Sequence, residues 1–158
     1  MDTILNAFDR QFIALNDNSL ALLASIKPDD LFRKPRNLGR SMAIFSCGEY
    51  LLRSAGVVEQ TAGGITTRLW DDPFEWSLPE ELSTIERVGE YLIEVEVTRA
   101  RAFRSLGSDA ALEKLIPAPD SLRSIFDVIL LTFGKASQYQ GRAFAVHQML
   151  SDEKLPRL

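Results

Sequence analysis

The stretch SLRSIFDVILLTFGKASQYQGRAFAVHQML, from Ser121 to Leu150, decides the fold class of this chain. Mostly apolar residues recur along it at steps of three and four, which is the periodicity of one helix face. The stripe consists of Ile125, Ile129, Thr132, Ala136, Tyr139, Ala143, Val146 and Leu150. Ser121 belongs to the residue types that cap helix N-termini. The stretch therefore predicts a long amphipathic helix that begins at Ser121 and packs against other helices.

Two further helices are predicted in the first half of the chain. Helical spacing predicts the first over residues 3–26. The connector at residues 27–40 contains two prolines and a glycine, and a short turn is expected at residues 28–32. Ser41 is expected to cap a second helix, which ends at Gly63-Gly64 because glycine is a natural C-terminal stop.

A loop at residues 65–79 follows the second helix and contains both tryptophans, Trp70 and Trp76. A loop with this many aromatic side chains must fold back onto the body or expose an apolar patch. We expect the tryptophans to anchor the loop in the core, whereas an exposed pair would indicate a partner surface. In the sequence STIE, Ser83 and Glu86 predict a capping box at the start of a third helix.

The third helix is predicted to reach Leu106 and to end at Gly107. Arg99 lies on its apolar stripe, so this cation must reach water or pair with an acid. Glu59 on the second helix is a candidate partner. A second connector then leads to the fourth helix.

These patterns predict one all-α domain over residues 1–158, an antiparallel four-helix bundle with a long aromatic loop between helices two and three. The length of that loop would suit an overhand crossover. No alternating strand pattern and no short internal repeat is present. The chain of 158 residues is 46% hydrophobic and 25% charged, which are ordinary globular values.

The charge of the chain excludes several classes of partner. The formal net charge is −4, so no general attraction to nucleic acid or to an anionic membrane is expected. No apolar run approaches the length of a transmembrane helix, and the charged N-terminal residues do not resemble a signal peptide. The single cysteine, Cys47, cannot form an intramolecular disulfide. We therefore expect a cytoplasmic protein.

Four stretches together resemble the DinB/YfiT-like superfamily of bacterial four-helix bundles. They are LLASIKPDDLFRKP, RSMAIFSCGEYLLR, VGEYLIEVEVTRARAFRSL and PDSLRSIFDVILLTFGKASQYQGRAFAVHQML, and they cover nearly the whole chain in order and spacing. The resemblance implies this fold and, in many members, a homodimer. It also implies a divalent metal held by one histidine of helix two and by the two histidines of an HxxxHxGQ pattern on helix four. Some relatives use that metal in thiol-dependent transferase or isomerase reactions.

The present sequence departs from the family pattern at each of the metal-binding positions. On helix four, Gly141 matches the glycine of the pattern, which places Lys135 and Tyr139 at the two histidines and Arg142 at the glutamine. On helix two, Gly48 falls at the third position. Glycine has no donor atom, and lysine and neutral tyrosine are poor ligands at pH 7. We therefore expect no metal and no other cofactor.

The candidate ligand-binding residues are Lys135, Tyr139, Arg142, Gly48 and Cys47. One interpretation is a remodelled pocket for a small polar or anionic molecule, in which the Lys135 ammonium stands near the vacated cation position. The other is the ordinary polar border of a bundle helix. Cys47 is either a nucleophile or a small buried hydrophobic residue.

Three functions remain open at this point. The leading hypothesis is a metal-free DinB-like bundle that acts as a small-molecule-binding or dimerisation module. The alternative is an enzyme at the end of the bundle, related to the metal- and thiol-dependent transferases and isomerases, that uses Lys135, Tyr139 and Arg142. A third is a purely structural oligomer that pairs through an exposed apolar face. Of the other polar residues, His147 is expected at the surface or partly packed, and Glu90 and Glu94 on a solvated face.

Overall fold

Four long α-helices form most of the molecule. The computed structural model describes residues 3–35, 44–76 and 79–156, without the side chains of residues 75, 76, 79 and 80. The helices are α1 (Thr3–Ser25), α2 (Cys47–Thr67), α3 (Pro73–Trp76), α4 (Ile85–Leu106) and α5 (Ile125–Leu150). Short 3-10 helices span Pro28–Asp30, Pro79–Leu82 and Asp109–Glu113. The predicted helical class is confirmed, and the 3-10 turn at Pro28 lies within the short turn expected there.

A small antiparallel hairpin precedes α5, and the sequence patterns did not predict it. Strand β1 (Leu115–Pro117) pairs with strand β2 (Leu122–Ser124). Ile116 is buried and its two neighbours in β1 are exposed. Strands of three residues carry too short an alternation to be recognised from sequence.

The contacts of α5 show its direction relative to its two neighbours. Ser54 and Thr61 of α2 bond to Ala136 and Thr132 of α5, so residue numbers rise in one helix as they fall in the other. Helices α2 and α5 are therefore antiparallel. Along α1 and α5 the numbers rise together, because the Phe8 ring contacts Phe126 and the Leu15 carbonyl accepts from Gln140. This pair is parallel.

The contacts of α4 complete the arrangement. Helix α1 is antiparallel to α4, since Asp9 pairs with Arg99 whereas Leu23 lies beside Gly89. Helix α2 is parallel to α4, with Glu59 beside Tyr91 and, further along both helices, Ala62 and Ala102 on one small cavity. Two of the four neighbouring pairs are thus parallel, so the expected antiparallel arrangement holds only for α1–α4 and α2–α5. The long segment after α2 crosses over to start α4 beside it.

Helix α2 begins later than predicted. Residues 44–46 are not helical, and the N-cap is Ser46, whose hydroxyl accepts from the Glu49 amide while the Glu49 carboxylate accepts from the Ser46 amide. This capping box satisfies two free N–H groups at the helix start. Ser41, the predicted cap, lies outside the described residues.

Helix α2 also ends later than predicted, because it runs through Gly63 and Gly64 to Thr67. A Cβ at Gly64 would lie 2.5 Å from the Trp70 ring, so the glycine lets the following loop pack against the helix. The helix ends at Arg68, which has φ 63° and is left-handed. Its guanidinium donates to the Gly64 and Ile65 carbonyls, which would otherwise be free at the helix end.

The starts of α4 and α5 correct two further predictions. The N-cap of α4 is Thr84, which accepts from the Arg87 amide at 3.3 Å, and not Ser83. The N-cap of α5 is Ser124, because the hairpin occupies the residues that follow Ser121. The predicted end of α4 at Gly107 is confirmed.

Arg99 pairs with acids other than the one expected. Its side chain is 3% exposed, and it donates to Asp9 of α1 and to Glu96 one turn earlier in α4. Burial alone would lower the pKa of Arg99, but the hydrogen bonds to these two carboxylates raise it above its ordinary value. Glu59 instead accepts from the Tyr91 hydroxyl at 2.6 Å.

His147 is buried, with 3% exposure, and not at the surface or partly packed as expected. The reason is the parallel course of α1, whose last turn reaches the end of α5 and places the Ser25 hydroxyl 3.5 Å from Nε2 of His147. Glu90 and Glu94 are exposed, as predicted. None of the described helices is both long enough and apolar enough to cross a bilayer.

Candidate functional site

A pocket with a volume of about 140 Å³ lies between α2, α5 and the loop that follows α2. Helix α5 contributes Lys135 and Tyr139, two of the predicted ligand-binding residues. Helix α2 contributes Arg53, Gly56, Val57 and Gln60, and the loop contributes Asp72, Pro73 and Phe74. We call this cavity the α2–α5 pocket.

The loop wall of the pocket is held against α2 at glycines. A Cβ at Gly56 would lie 2.5 Å from Cε2 of Phe74, so the Phe74 ring rests where a larger residue would have a side chain. Two hydrogen bonds fix the start of the loop: Trp70 Nε1 donates to the Pro117 carbonyl and Gln60 Nε2 donates to the Trp70 carbonyl, each at 2.8 Å. Trp70 therefore anchors the loop as predicted. The side chain of Trp76 lies outside the described residues.

The α5 wall carries two polar groups that the rest of the described chain does not use. Lys135 is exposed and forms no ion pair or hydrogen bond with any described residue. Tyr139, one turn later, is half-buried, and its ring centroid lies 6.4 Å from that of Tyr50. The Tyr139 hydroxyl likewise has no partner among the described residues. Within the described ranges, neither group is committed to another residue.

The opposite wall adds one more cation and one carboxylate. The Arg53 guanidinium lies 4.0 Å above the Phe45 ring, a cation–π contact that leaves its N–H donors free of any described carboxylate. Asp72 accepts from the Phe74 amide at 3.0 Å and so holds the first turn of α3. Among the described lining residues, two cations stand against one carboxylate, and this positive balance favours an anionic group.

The other predicted ligand-binding residues lie away from the pocket. Arg142 is half-buried and does not line it. Gly48 is buried against the connector: a Cβ there would lie 2.7 Å from Cε1 of Phe32, and its N–H donates to the Leu31 carbonyl at 2.7 Å. The structure thus brings together Lys135 and Tyr139 but neither Arg142 nor Gly48.

Cys47 is buried in the core, where its thiol donates to the Ala143 carbonyl at 3.4 Å. Burial raises the pKa of the Cys47 thiol to about 12. A thiol in this environment stays protonated at neutral pH and is a poor nucleophile. The position fits the interpretation as a small buried hydrophobic residue, and it gives no support to thiol chemistry.

The residues at the family's metal-binding positions do not fit a metal. Lys135 offers an ammonium, Tyr139 a phenol, and Gly48 no side chain, while Phe32 and Leu31 fill the space beside Gly48. An ammonium repels a divalent ion, and a protonated phenol is a weak ligand. No group of three or more histidine, cysteine, aspartate or glutamate side chains elsewhere in the described ranges is placed to hold an ion.

Other cavities are less suited to a ligand. Two cavities between the helices have volumes of about 20 and 10 Å³, which is at most room for a water molecule. A groove of about 460 Å³ beside α4 has three carboxylates and one cation among its described lining residues, and that cation, Arg87, already pairs with Glu90 at 3.0 Å. Of these cavities, the α2–α5 pocket is the one lined by polar groups that have no partner in the described part of the chain.

The sequence patterns predict the binding residues on the α5 side of the pocket but not those on its α2 and loop sides. Arg53, Gly56 and Gln60 recur at steps of three and four, which places them on one helix face. The sequence shows that these residues share a helix face. It does not show that this face lies opposite Lys135, which depends on the register of α2 against α5. The sequence around Asp72 and Phe74 does not indicate a binding site. These residues reach the pocket only because the loop folds back across α2.

Comparison with known proteins adds no relative: no protein-family model, no curated protein and no solved structure matches this chain.

Proposed function

We propose that this chain is a DinB/YfiT-like bundle without the family's metal site, and that it binds a small anionic molecule in the α2–α5 pocket. The likeness to that superfamily rests on the quoted stretches, and the four long helices follow their order. The observation that carries the binding proposal is that two cations, Lys135 and Arg53, and a phenol, Tyr139, line one pocket without a hydrogen-bond or ion-pair partner among the described residues.

Each of these groups has a defined role in the proposed complex. The Lys135 ammonium and the Arg53 guanidinium attract and bind the anionic group, since charge-assisted hydrogen bonds are the stronger class. The Tyr139 hydroxyl donates a third hydrogen bond. Val57, Pro73 and Phe74 provide apolar surface for the rest of the molecule.

The size of the pocket limits the ligand. Drug-sized ligands occupy pockets of roughly 300–1,000 Å³, and this one has about 140 Å³. The ligand is therefore a compact molecule with one carboxylate or phosphate group. The two anions share the chemistry that the cations recognise, and direct comparison of their binding separates them.

Ligand-observed NMR tests the proposal with benzoate, phenyl phosphate and the neutral benzamide. We expect the better of the two anions to bind saturably and benzamide at least about tenfold more weakly, a difference near 1.4 kcal/mol. Lys135→Gln should weaken that anion about tenfold, while Lys154→Gln, an exposed lysine outside the pocket, should leave it unchanged. Equal binding of benzamide would refute the preference for anions, and the absence of saturable binding would refute the site.

We further propose that the protein is a cytoplasmic homodimer. The support for the dimer is the family resemblance together with the large apolar side chains exposed on α5, and the support for the compartment is the lone buried thiol. Sedimentation of the wild-type chain at micromolar concentration tests the dimer, and a monomer would contradict it.

A further inference from the structure

The α2–α5 pocket contains a carboxylate as well as two cations. Asp72 of the loop lines the same cavity as Lys135 and Arg53. In the described part of the chain no ion pair joins Asp72 to either cation, although all three side chains border one cavity of about 140 Å³. Charges of opposite sign that share a cavity without pairing with each other are complementary to a ligand that itself has both signs of charge.

Asp72 is held in place by one of its two carboxylate oxygens. Oδ1 accepts from the Phe74 amide at 3.0 Å, and the Phe74 ring rests against the backbone of α2 at Gly56. The other oxygen, Oδ2, has no hydrogen-bond or ion-pair partner among the described residues. The loop therefore presents a positioned anionic acceptor, and an ammonium group is the donor that such an acceptor binds most strongly.

Gln60 provides a second acceptor on the α2 side of the pocket. Its Nε2 donates to the Trp70 carbonyl at 2.8 Å, and only the nitrogen of the amide can make this bond because a carbonyl has no proton to donate. The Gln60 carbonyl oxygen, Oε1, is left without a partner in the described ranges. An ammonium has three N–H donors, which is enough for both Asp72 and Gln60.

The size of the cavity limits the distance between the two charges of the ligand. A volume of about 140 Å³ is well below the roughly 300–1,000 Å³ of drug-sized sites, so its charged walls lie close together. The ammonium and the carboxylate of the ligand must then also be close, as they are on the single α-carbon of an amino acid. The half-buried side chains of Val57, Pro73 and Phe74 offer apolar surface for one compact apolar substituent.

We propose that the ligand of the α2–α5 pocket is an α-amino acid with a compact apolar side chain, an inference that rests on the anion site proposed above. Its carboxylate binds Lys135 and Arg53, and its ammonium binds Asp72. Its side chain contacts Val57 and Phe74. A purely structural Asp72 would only hold the turn before α3. The two roles are separable, because the turn needs an oxygen acceptor whereas the ligand ammonium needs the negative charge.

Ligand-observed NMR with matched compounds tests the inference. L-valine has both charged groups, isovalerate lacks the ammonium, and δ-aminovalerate has the same two charges at opposite ends of a chain. We expect valine to bind at least about fivefold more tightly than either of the others, a modest factor because Asp72 is exposed. Lys135→Gln should weaken valine and isovalerate alike, since both use the carboxylate site.

Asp72→Asn separates the charge of Asp72 from its hydrogen bond to the loop. Asparagine keeps an oxygen that accepts from the Phe74 amide, so the turn before α3 should be retained, and continued binding of isovalerate shows that the pocket is intact. The variant should bind valine and isovalerate equally. Asp71→Asn removes the same charge from an exposed neighbour that does not line the pocket, and it should leave the preference for valine unchanged.

The failure of this inference is distinguishable from the failure of the anion site. Valine that binds no better than isovalerate or δ-aminovalerate, or an equal loss of preference in the Asp71→Asn and Asp72→Asn variants, would overturn the amino-acid ligand. So would binding of benzoate or phenyl phosphate without binding of valine and isovalerate, and in that case the anion site stands. If none of these four compounds binds saturably, both the ligand class and the site are wrong.

Discussion

Tyr91 joins α4 to α2 through a single short hydrogen bond. Its hydroxyl donates to Glu59 at 2.6 Å. Burial, followed by this hydrogen bond and the negative charges nearby, raises the pKa of Tyr91 well above its ordinary value. The neutral phenol is therefore the form that the folded protein stabilises.

Tyr91→Phe should lower the free energy of unfolding at pH 8 by about 1–2 kcal/mol, because it leaves a half-buried carboxylate without its donor. The loss should shrink above pH ~10, where the tyrosine of the unfolded chain ionises while folded Tyr91 keeps its proton. Urea unfolding of both proteins at pH 8 and pH 11 measures this difference.

Tyr139→Phe is the matched control, since the Tyr139 hydroxyl has no partner among the described residues. It should change the free energy of unfolding by less than about 0.5 kcal/mol at pH 8. An equal loss for the two variants would show that the Glu59 contact contributes nothing specific.

Among the elements, α2 is the helix whose glycines pack against the loop that follows it. Gly56 and Gly64 lie two turns apart and accept the rings of Phe74 and Trp70. Their places in the helix interior reduce helix propensity but allow aromatic rings to approach the backbone. The wall of the α2–α5 pocket depends on this packing.

Gly64→Ala should destabilise the protein, because the new Cβ would lie 2.5 Å from the Trp70 ring and the ring must move. We expect a loss of about 1–2 kcal/mol after the better helix propensity of alanine is included. Gly63→Ala is the neighbouring control: its Cβ would approach only the Leu69 carbonyl, at 3.1 Å. Urea unfolding followed by tryptophan fluorescence compares the two, and a more damaging Gly63→Ala would contradict the packing argument.

The helices could be predicted from sequence, but their ends and their partners could not. Periodicity identifies a buried stripe wherever it is long, as in α5. The caps were misplaced because several serines and threonines of similar local preference stand near each helix start, and distant structure selects among them. Ser124 caps α5, for example, because the preceding residues pair with β1.

For the candidate site, too, the sequence predicts residues that share one helix but not the residues that other elements contribute. Lys135 and Tyr139 were found because they share a helix face. Arg53, Phe74 and Asp72 belong to other elements, and only the crossing of the loop over α2 brings them near. The acids beside Arg99 were missed for a related reason, since the expected partner assumed a different register of α4.

At the scale of the whole molecule, Arg99 links the first helix to the third long one. Its guanidinium is 3% exposed, and the Asp9 and Glu96 side chains are 21% and 26% exposed. A buried ion pair adds little net stability compared with apolar residues of the same size. Removing the Arg99 cation, however, leaves two partly buried carboxylates without a partner, which destabilises the fold.

Arg99→Met should lower the free energy of unfolding by about 2–3 kcal/mol, less than for a fully buried pair because water reaches both acids. Arg101→Met is the control on the same helix, at an exposed arginine without a described ion pair, and should change it by less than about 0.5 kcal/mol. Thermal unfolding of both variants measures the contrast. Similar losses of unfolding free energy in the two variants would mean that Arg99 with Asp9 and Glu96 stabilises the fold no more than a surface arginine does.

The pairing of α5 with both α1 and α2 governs how the chain can fold as it is made. Gln140 bonds to residues 121 and 125 positions earlier, so the final long helix supplies contacts that nothing before it can replace. Synthesis at roughly 5–20 residues per second leaves the side of α2 that packs against α5 uncovered on the ribosome for on the order of 10 s. The nascent chain is therefore most prone to aggregate just before translation of α5 is complete. A chaperone that covers the exposed apolar surface would help it most at that stage.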